Sequence, residues 1–113
     1  PGGDVQVQAM VQTFLNLEVY GMDPQQAVEA PRFAMHSFPN SFEPHAYYPG
    51  RLTLEQPLFD AHGANLAKRG HKPEAWAAGT WRAGGMCLVR HDLKRGILEG
   101  AADPRRPSYA LGW

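Results

Sequence analysis

The chain has 113 residues, with eleven basic side chains balanced by eleven acidic ones. That length suits one domain, and a net charge of zero excludes the clustered basic excess of a nucleic-acid binder. No run approaches the ~18 apolar residues of a membrane span, and the lone cysteine, Cys87, excludes an internal disulfide framework and a multi-cysteine zinc site.

The first predicted element is an amphipathic helix from about Val5 to Tyr20. Val7, Met10, Val11, Phe14 and Leu17 recur at helical spacing, and Gln8, Gln12 and Asn16 mark a second, polar face. Asp4 is placed to cap this helix and Gly21 to stop it. Asp23-Pro24 opens a short helix with a capping-box Gln26, and Ala30-Pro31 ends it. Arg32 to Phe38 reads as a strand, Pro39 to Gly50 as a loop, and Arg51 to Glu55 as a second strand. Leu58 to Arg69 reads as a helix with Gly70 as its stop. His71 to Ala78 is expected to be extended, and Thr80 to Gly85 to be a turn or a strand edge. Met86 to His91 and Ile97 to Ala101 read as a hairpin with Gly96 at a positive-φ position. The segment from Asp103 to Trp113 is expected to be irregular.

Composition qualifies this picture. Gly and Pro together make 22 residues, and Leu, Ile, Val and Phe another 22. A thin aliphatic core beside so many loop formers points to a chain that completes its core on further structure. The first helix is expected to pack on a sheet whose second helical layer lies elsewhere.

Candidate chemistry is sparse. Two glycines ahead of a helix, Gly2 and Gly3, let backbone N–H groups approach a ligand and stabilise an oxyanion. An N-terminal Pro1 can act as a base, but enzymes using one place it at the start of a strand, and here Gly-Gly and a helix follow. The five histidines, His36, His45, His62, His71 and His91, form no metal-ligand spacing. Cys87 lies in an apolar run and is expected to be a buried, inert thiol. Ser37, Ser41 and Ser108 lack a nucleophile-elbow context. Tyr47, Tyr48, Trp76, Trp81 and Trp113 are expected to pack against further structure or to line a surface. Arg105-Arg106 is expected to anchor the tail on carboxylates.

Several segments together resemble the final part of the gamma-glutamyltranspeptidases. They are Pro1-Gly2-Gly3-Asp4, the Gln-rich helix, Gly21-Met22-Asp23, Gln26-Ala27-Val28, Ala30-Pro31-Arg32-Phe33 and Gly100-Ala101-Ala102-Asp103-Pro104-Arg105-Arg106. The resemblance runs the whole length in order. It implies an α/β chain of the α+β type, part of the αββα sandwich of N-terminal nucleophile hydrolases, with one long N-terminal helix and a largely antiparallel sheet. It implies a precursor that cleaves itself into two subunits. A new N-terminal Thr then attacks a gamma-glutamyl amide such as glutathione, without metal or cofactor. Related members are amide acylases. Gly2 and Gly3 match the family's oxyanion-hole glycines. Thr13, Thr53 and Thr80 do not match the nucleophile, which the resemblance places earlier in the small subunit. The family's usual Ser or Thr just ahead of Pro-Gly-Gly has no counterpart here. The resemblance thus implies a single domain over 1–113, the C-terminal portion of a small subunit, inactive alone. Its partners would be the remainder of the precursor and a gamma-glutamyl substrate, with no nucleic acid and no membrane. The compartment stays open, since family members are often periplasmic or secreted. The alternative from another class is a non-catalytic module that self-associates as a homo-oligomer through exposed apolar surface.

Overall fold

The structure is a computed structural model that describes residues 2–112. Pro1 and Trp113, both singled out above, lie outside the described residues. Three helices and five strands follow in the order α1 (Val5–Glu18), α2 (Pro24–Glu29), β1 (Phe33–Met35), β2 (Arg51–Glu55), α3 (Gln56–Lys68), β3 (Lys72–Trp76), β4 (Cys87–Asp92) and β5 (Ile97–Ala102). A 3₁₀ turn over Trp81–Ala83 separates β3 from β4, where the sequence left a turn or a strand edge open.

Local chemistry accounts for most boundaries. The Asp23 carboxylate accepts the Gln26 N–H at 2.8 Å, and the Gln26 side chain accepts the Asp23 N–H at 3.2 Å, which completes the expected capping box. The third helix starts two residues earlier than expected, at Gln56, because Pro57 fits its first turn. Gly96 turns the β4–β5 hairpin at φ +67°. The first strand is shorter than expected, with regular pairing only over Phe33–Met35.

The sheet order is β1-β2-β3, with β1 antiparallel and β2–β3 parallel across α3; β4 and β5 form a separate antiparallel ribbon. Pro73 sits in β3, an edge strand, where a missing donor is tolerated.

The first helix meets the sheet through its polar face. Gln8 donates to the Met35 carbonyl at 3.1 Å and accepts the Met35 N–H at 2.9 Å. Gln12 does the same to Phe33, at 2.9 Å and 3.1 Å. The two side-chain amides therefore satisfy the β1 edge that β2 does not pair. Asn16 donates to the Ala27 carbonyl of α2. Only Ala9 and Thr13 of α1 are buried, while Val7, Met10, Val11 and Phe14 are all more than half exposed. The expected apolar docking of this helix is thus not made within the chain.

The interior is small and polar. Among the described residues, five of the eight buried aliphatic side chains other than proline are alanines, and the largest fully buried side chains are Arg32 and Glu55. The accessible surface is 7598 Å², against about 6,200 Å² for a compact monomer of this mass. The radius of gyration is 15.6 Å, against about 13 Å for a compact chain of this length. Both excesses fit the thin aliphatic complement read from composition.

Two expectations fail locally. Asp4 does not cap α1: its backbone is helical and its side chain makes no capping bond. Its carboxylate is engaged instead by Ser41. Cys87 is exposed, because β4 belongs to a two-stranded ribbon with one open face and alternating burial.

Candidate functional site

Gly2 and Gly3 form the turn that leads into α1. Their φ values are +136° and +54°, a region that side chains rarely adopt. The Gly2 and Gly3 carbonyls accept the N–H groups of Val5 and Gln6, both at 3.0 Å. That starts the helix without a side-chain cap. Among the described residues, neither the Gly2 nor the Gly3 N–H donates to a protein acceptor.

Each glycine has a close neighbour. A Cβ on Gly2 would lie 3.2 Å from the Gly84 Cα, and one on Gly3 would lie 3.2 Å from the Phe42 ring. Beside it opens a cavity of about 190 Å³, whose lining includes Gly3, Met35, His36, Phe38, Phe42 and Tyr48. Ser41 donates its N–H to the Asp4 carboxylate at 2.8 Å and its hydroxyl to the other oxygen. These hydrogen bonds from the Ser41 hydroxyl and N–H hold the Asp4 carboxyl below its ordinary value.

Beneath the turn lies a buried ionic network. The Arg105 guanidinium meets Glu55 through two nitrogens, one at 2.9 Å, and Asp103 through a third at 3.1 Å. Arg32 pairs with Asp103 at 2.6 Å, and its backbone N–H donates to Glu55 at 2.7 Å. Further donors reach main-chain carbonyls: Arg105 binds Val28 and Ala30, and Arg32 binds Val28 and Ala83, while the buried Arg32 Nε has no partner among the described residues. Burial pushes the Asp103 carboxyl up. The Arg105 N–H and the charge of Arg32 outweigh that and hold it below the usual carboxylate value. Burial also works against the Arg105 charge, but Glu55 and Asp103 more than offset it and raise its pKa.

The network reaches the turn through Arg32, whose bond to the Ala83 carbonyl is 3.1 Å long. Ala83 precedes Gly84, on which Gly2 packs. The Ala-Pro-Arg-Phe and Gly-Ala-Ala-Asp-Pro-Arg-Arg segments therefore meet at one buried point. Arg105 anchors the tail as expected. Arg106 is half-buried, lies 5.3 Å over the Trp81 ring and donates to the Trp81 carbonyl at 3.3 Å.

The other sequence candidates are dispersed. His36 bonds the Thr53 hydroxyl at 3.0 Å and meets Trp76 edge-on. Burial, aided by the Arg51 charge and opposed by Glu74, lowers its pKa. Tyr48 stacks against Arg51, and Tyr47 is exposed. His62 lies along a separate apolar cavity between β2 and α3. Ser108 donates to the Asp103 carbonyl, and Thr13 is buried in α1. No cluster of three His, Cys, Asp or Glu side chains suited to a metal occurs among the described residues. No described helix is long and apolar enough to cross a membrane.

The family called gamma-glutamyltranspeptidase matches residues 1–113. This chain belongs to that family. It is 33% identical, over its full length, to a glutathione hydrolase proenzyme from Pseudomonas sp. (strain A14), and spans 19% of that protein. Among solved structures it is similar to LmbA2991HD, with 37% identity and a TM-score of 0.85, covering 93% of this chain and 19% of the other. It also superposes on the gamma-glutamyltranspeptidase of Pseudomonas nitroreducens complexed with L-DON, with a TM-score of 0.76 at 22% identity, covering 100% of this chain and 52% of that one. The mixed α/β fold, with one mixed three-stranded sheet and one antiparallel ribbon, is thus that of the gamma-glutamyltranspeptidase structures, as the sequence resemblance implied.

Two elements escaped the sequence. Glu55 carries no motif, since it sits at the junction of an alternating strand and a Gln-Pro helix start. Ser41 lies in the least characteristic segment, and nothing in the order of residues announces its contact with Asp4.

Proposed function

We propose that this chain is the C-terminal portion of the small subunit of an enzyme that transfers or hydrolyses gamma-glutamyl amides such as glutathione. Gly2 and Gly3 supply backbone donors to the tetrahedral intermediate. A Thr hydroxyl from sequence outside this chain attacks the amide carbonyl carbon. The carbonyl oxygen gathers negative charge, and the glycine N–H groups stabilise it. The amine leaves with a proton, and water or an acceptor amine takes the acyl group from the enzyme. No metal or cofactor enters these steps. The rest of the precursor is the obligate partner, and the chain alone is inactive.

The observation that carries this reading is the turn itself. Two glycines at positive φ present N–H groups that have no protein acceptor among the described residues. Gly84 lies close against Gly2 and the Phe42 ring close against Gly3, leaving little room for a side chain at either. The short span against the relatives and the excess exposed surface support the part played by further structure.

The test compares the full-length precursor, its Gly3→Ala variant and the 113-residue chain on a gamma-glutamyl anilide. The full-length protein is expected to turn over. Gly3→Ala keeps the N–H but is strained at φ +54° and against the Phe42 ring, so the turn must shift and aim that donor away from the oxyanion; a loss of about 100-fold in kcat or more is expected, the size of a lost oxyanion donor. The chain alone is expected to be inert. Turnover by the chain alone, or a Gly3→Ala variant with unchanged kcat, overturns the assignment. A chain that is inert and also monomeric, with no binding of an apolar dye, weighs against the self-associating alternative.

A further inference from the structure

Asp is a preferred N-cap residue because its carboxylate accepts the free N–H groups of a helix's first turn. Asp4 holds that position and makes no such bond. Val5 and Gln6 are served by the glycine carbonyls instead. The Asp4 carboxylate turns toward Ser41 and receives both its N–H and its hydroxyl. A negative group that would otherwise compete for the N–H groups at the head of α1 is thereby held in another contact.

Ser41 sits in a loop braced from within. The Asn40 N–H donates to the Ala46 carbonyl at 2.9 Å, and the Phe42 N–H to the Asn40 side chain at 2.9 Å. The Gly50 N–H donates to the Ser37 hydroxyl at 2.9 Å, and the Tyr48 N–H to the His36 carbonyl at 3.2 Å. The loop's two ends continue β1 and β2, which pair with each other. Its tip is therefore referenced to the sheet, and it touches the glycine turn twice: Ser41 on Asp4, and the Phe42 ring against Gly3. Asp4 directly follows Gly3, so fixing its side chain restrains the peptide that joins them and, through the Gly3 Cα, the neighbouring Gly2–Gly3 peptide that carries the Gly3 N–H. A restraint at this point matters because a displacement of about 1 Å at a reacting centre can cost about 100-fold in rate.

We infer that Asp4 and Ser41 are positioning residues: their contact latches the 36–50 loop onto the Gly2-Gly3 turn and sets the orientation of its oxyanion donors. This inference rests on the function proposed above. It assigns no contact with substrate to either side chain.

The test uses the full-length precursor with Asp4→Ala, Ser41→Ala and Ser41→Thr, assayed on a gamma-glutamyl anilide, with the melting temperature of each variant. Asp4→Ala is expected to lower kcat about tenfold, the worth of a hydrogen bond to a charged group, with KM changed by less than about twofold. Ser41→Ala keeps its N–H and loses less, and Ser41→Thr restores the wild-type rate. Ser41 is exposed, so its variants remain informative if Asp4→Ala fails to fold. A wild-type kcat in Ser41→Ala, or a drop in melting temperature without a drop in kcat, overturns the latch. If Gly3→Ala is inactive while the latch variants keep full kcat, the latch alone fails. If the wild-type precursor has no gamma-glutamyl activity, both readings fail together.

Discussion

Replacing Glu55 with Gln removes one negative charge from a network that now balances two cations against two anions. The Glu55 carboxylate accepts from Arg105 Nε at 2.9 Å, from a second Arg105 nitrogen, and from the Arg32 backbone N–H at 2.7 Å. All three contacts are buried. The amide of Gln offers one acceptor oxygen, and its NH₂ group must then face an N–H donor. At least one charge-assisted bond is lost, at about 1.5–3 kcal/mol. Two guanidinium groups then share the single carboxylate of Asp103, and breaking a buried pair in this way costs about 3–5 kcal/mol in total. That is a large part of the ~5–15 kcal/mol that holds a domain together. The assay is urea unfolding of the full-length protein at neutral pH, followed by tryptophan fluorescence. Glu99→Gln serves as the control, because the Arg90–Glu99 pair is a quarter to a third exposed and is expected to cost less than about 1 kcal/mol. A double-mutant cycle of Glu55→Gln with Arg105→Met should return a coupling above about 1 kcal/mol. A Glu55→Gln cost no greater than that of Glu99→Gln refutes the view that this network holds the interior.

The remaining expectations concern pH, the helix–strand contact and the glycine turn. Asp103 is held below its unfolded value, so its contribution is fully present above about pH 4 and is lost as pH falls through the lower folded value. An Asp103→Asn variant should show a smaller loss of urea midpoint on acidification than wild type; equal slopes contradict it. His36 has a lowered pKa, so the unfolded chain binds its proton first. Stability from this group should fall as pH drops below about 6.5. His36→Asn should flatten that segment of the stability–pH curve, and an unchanged curve counts against the shift. Gln8→Ala with Gln12→Ala should cost about 1–3 kcal/mol, since four hydrogen bonds to an exposed strand edge are lost and water replaces part of them. Denaturation midpoints test this, and a neutral double variant contradicts the contact. Gly3→Ala should destabilise by about 1–2 kcal/mol through its positive φ alone, which thermal unfolding reads separately from activity.

The sequence was most legible where local chemistry decides. The Asp23-Pro24-Gln25-Gln26 box, the Gly96 hairpin and the span of β2 follow from neighbours in the chain, and they appear where expected, although β2 is buried from Leu52 to Glu55 without alternating. It was least legible where distant residues meet. The apolar stripe of α1 pointed to a helix buried by that face, yet within this chain the glutamine face makes the contact and the stripe stays exposed. Periodicity reports that a face is apolar, not which structure covers it. Asp4 satisfied the composition rule for a cap, but Ser41, thirty-seven residues away, supplies a stronger pair of donors. Arg32, Asp103 and Arg105 were visible as motif residues, while their role depended on Glu55, which no short pattern marks. Cys87 lay in an apolar run, but a two-stranded ribbon has one uncovered face and places it there. For the candidate site, Gly2 and Gly3 were legible as positions and their bracing was not.

The bonds between Gln8, Gln12 and the β1 edge also act as a ruler. Four helical residues advance about 6.0 Å, while two strand residues advance about 6.7 Å. The repeats agree closely enough for two amides to engage successive peptides at once. A third would be out of step by more than 1 Å, and Pro31, the peptide it would meet, has no N–H to offer. Asn16, next in the series, accordingly turns to α2. An interlock of this kind fixes the helix in both rotation and translation. Sliding α1 by one residue would swing both amides about 100° away from the strand. The head of the helix, with its two glycines, is thereby indexed to the sheet from a distance of more than one helical turn.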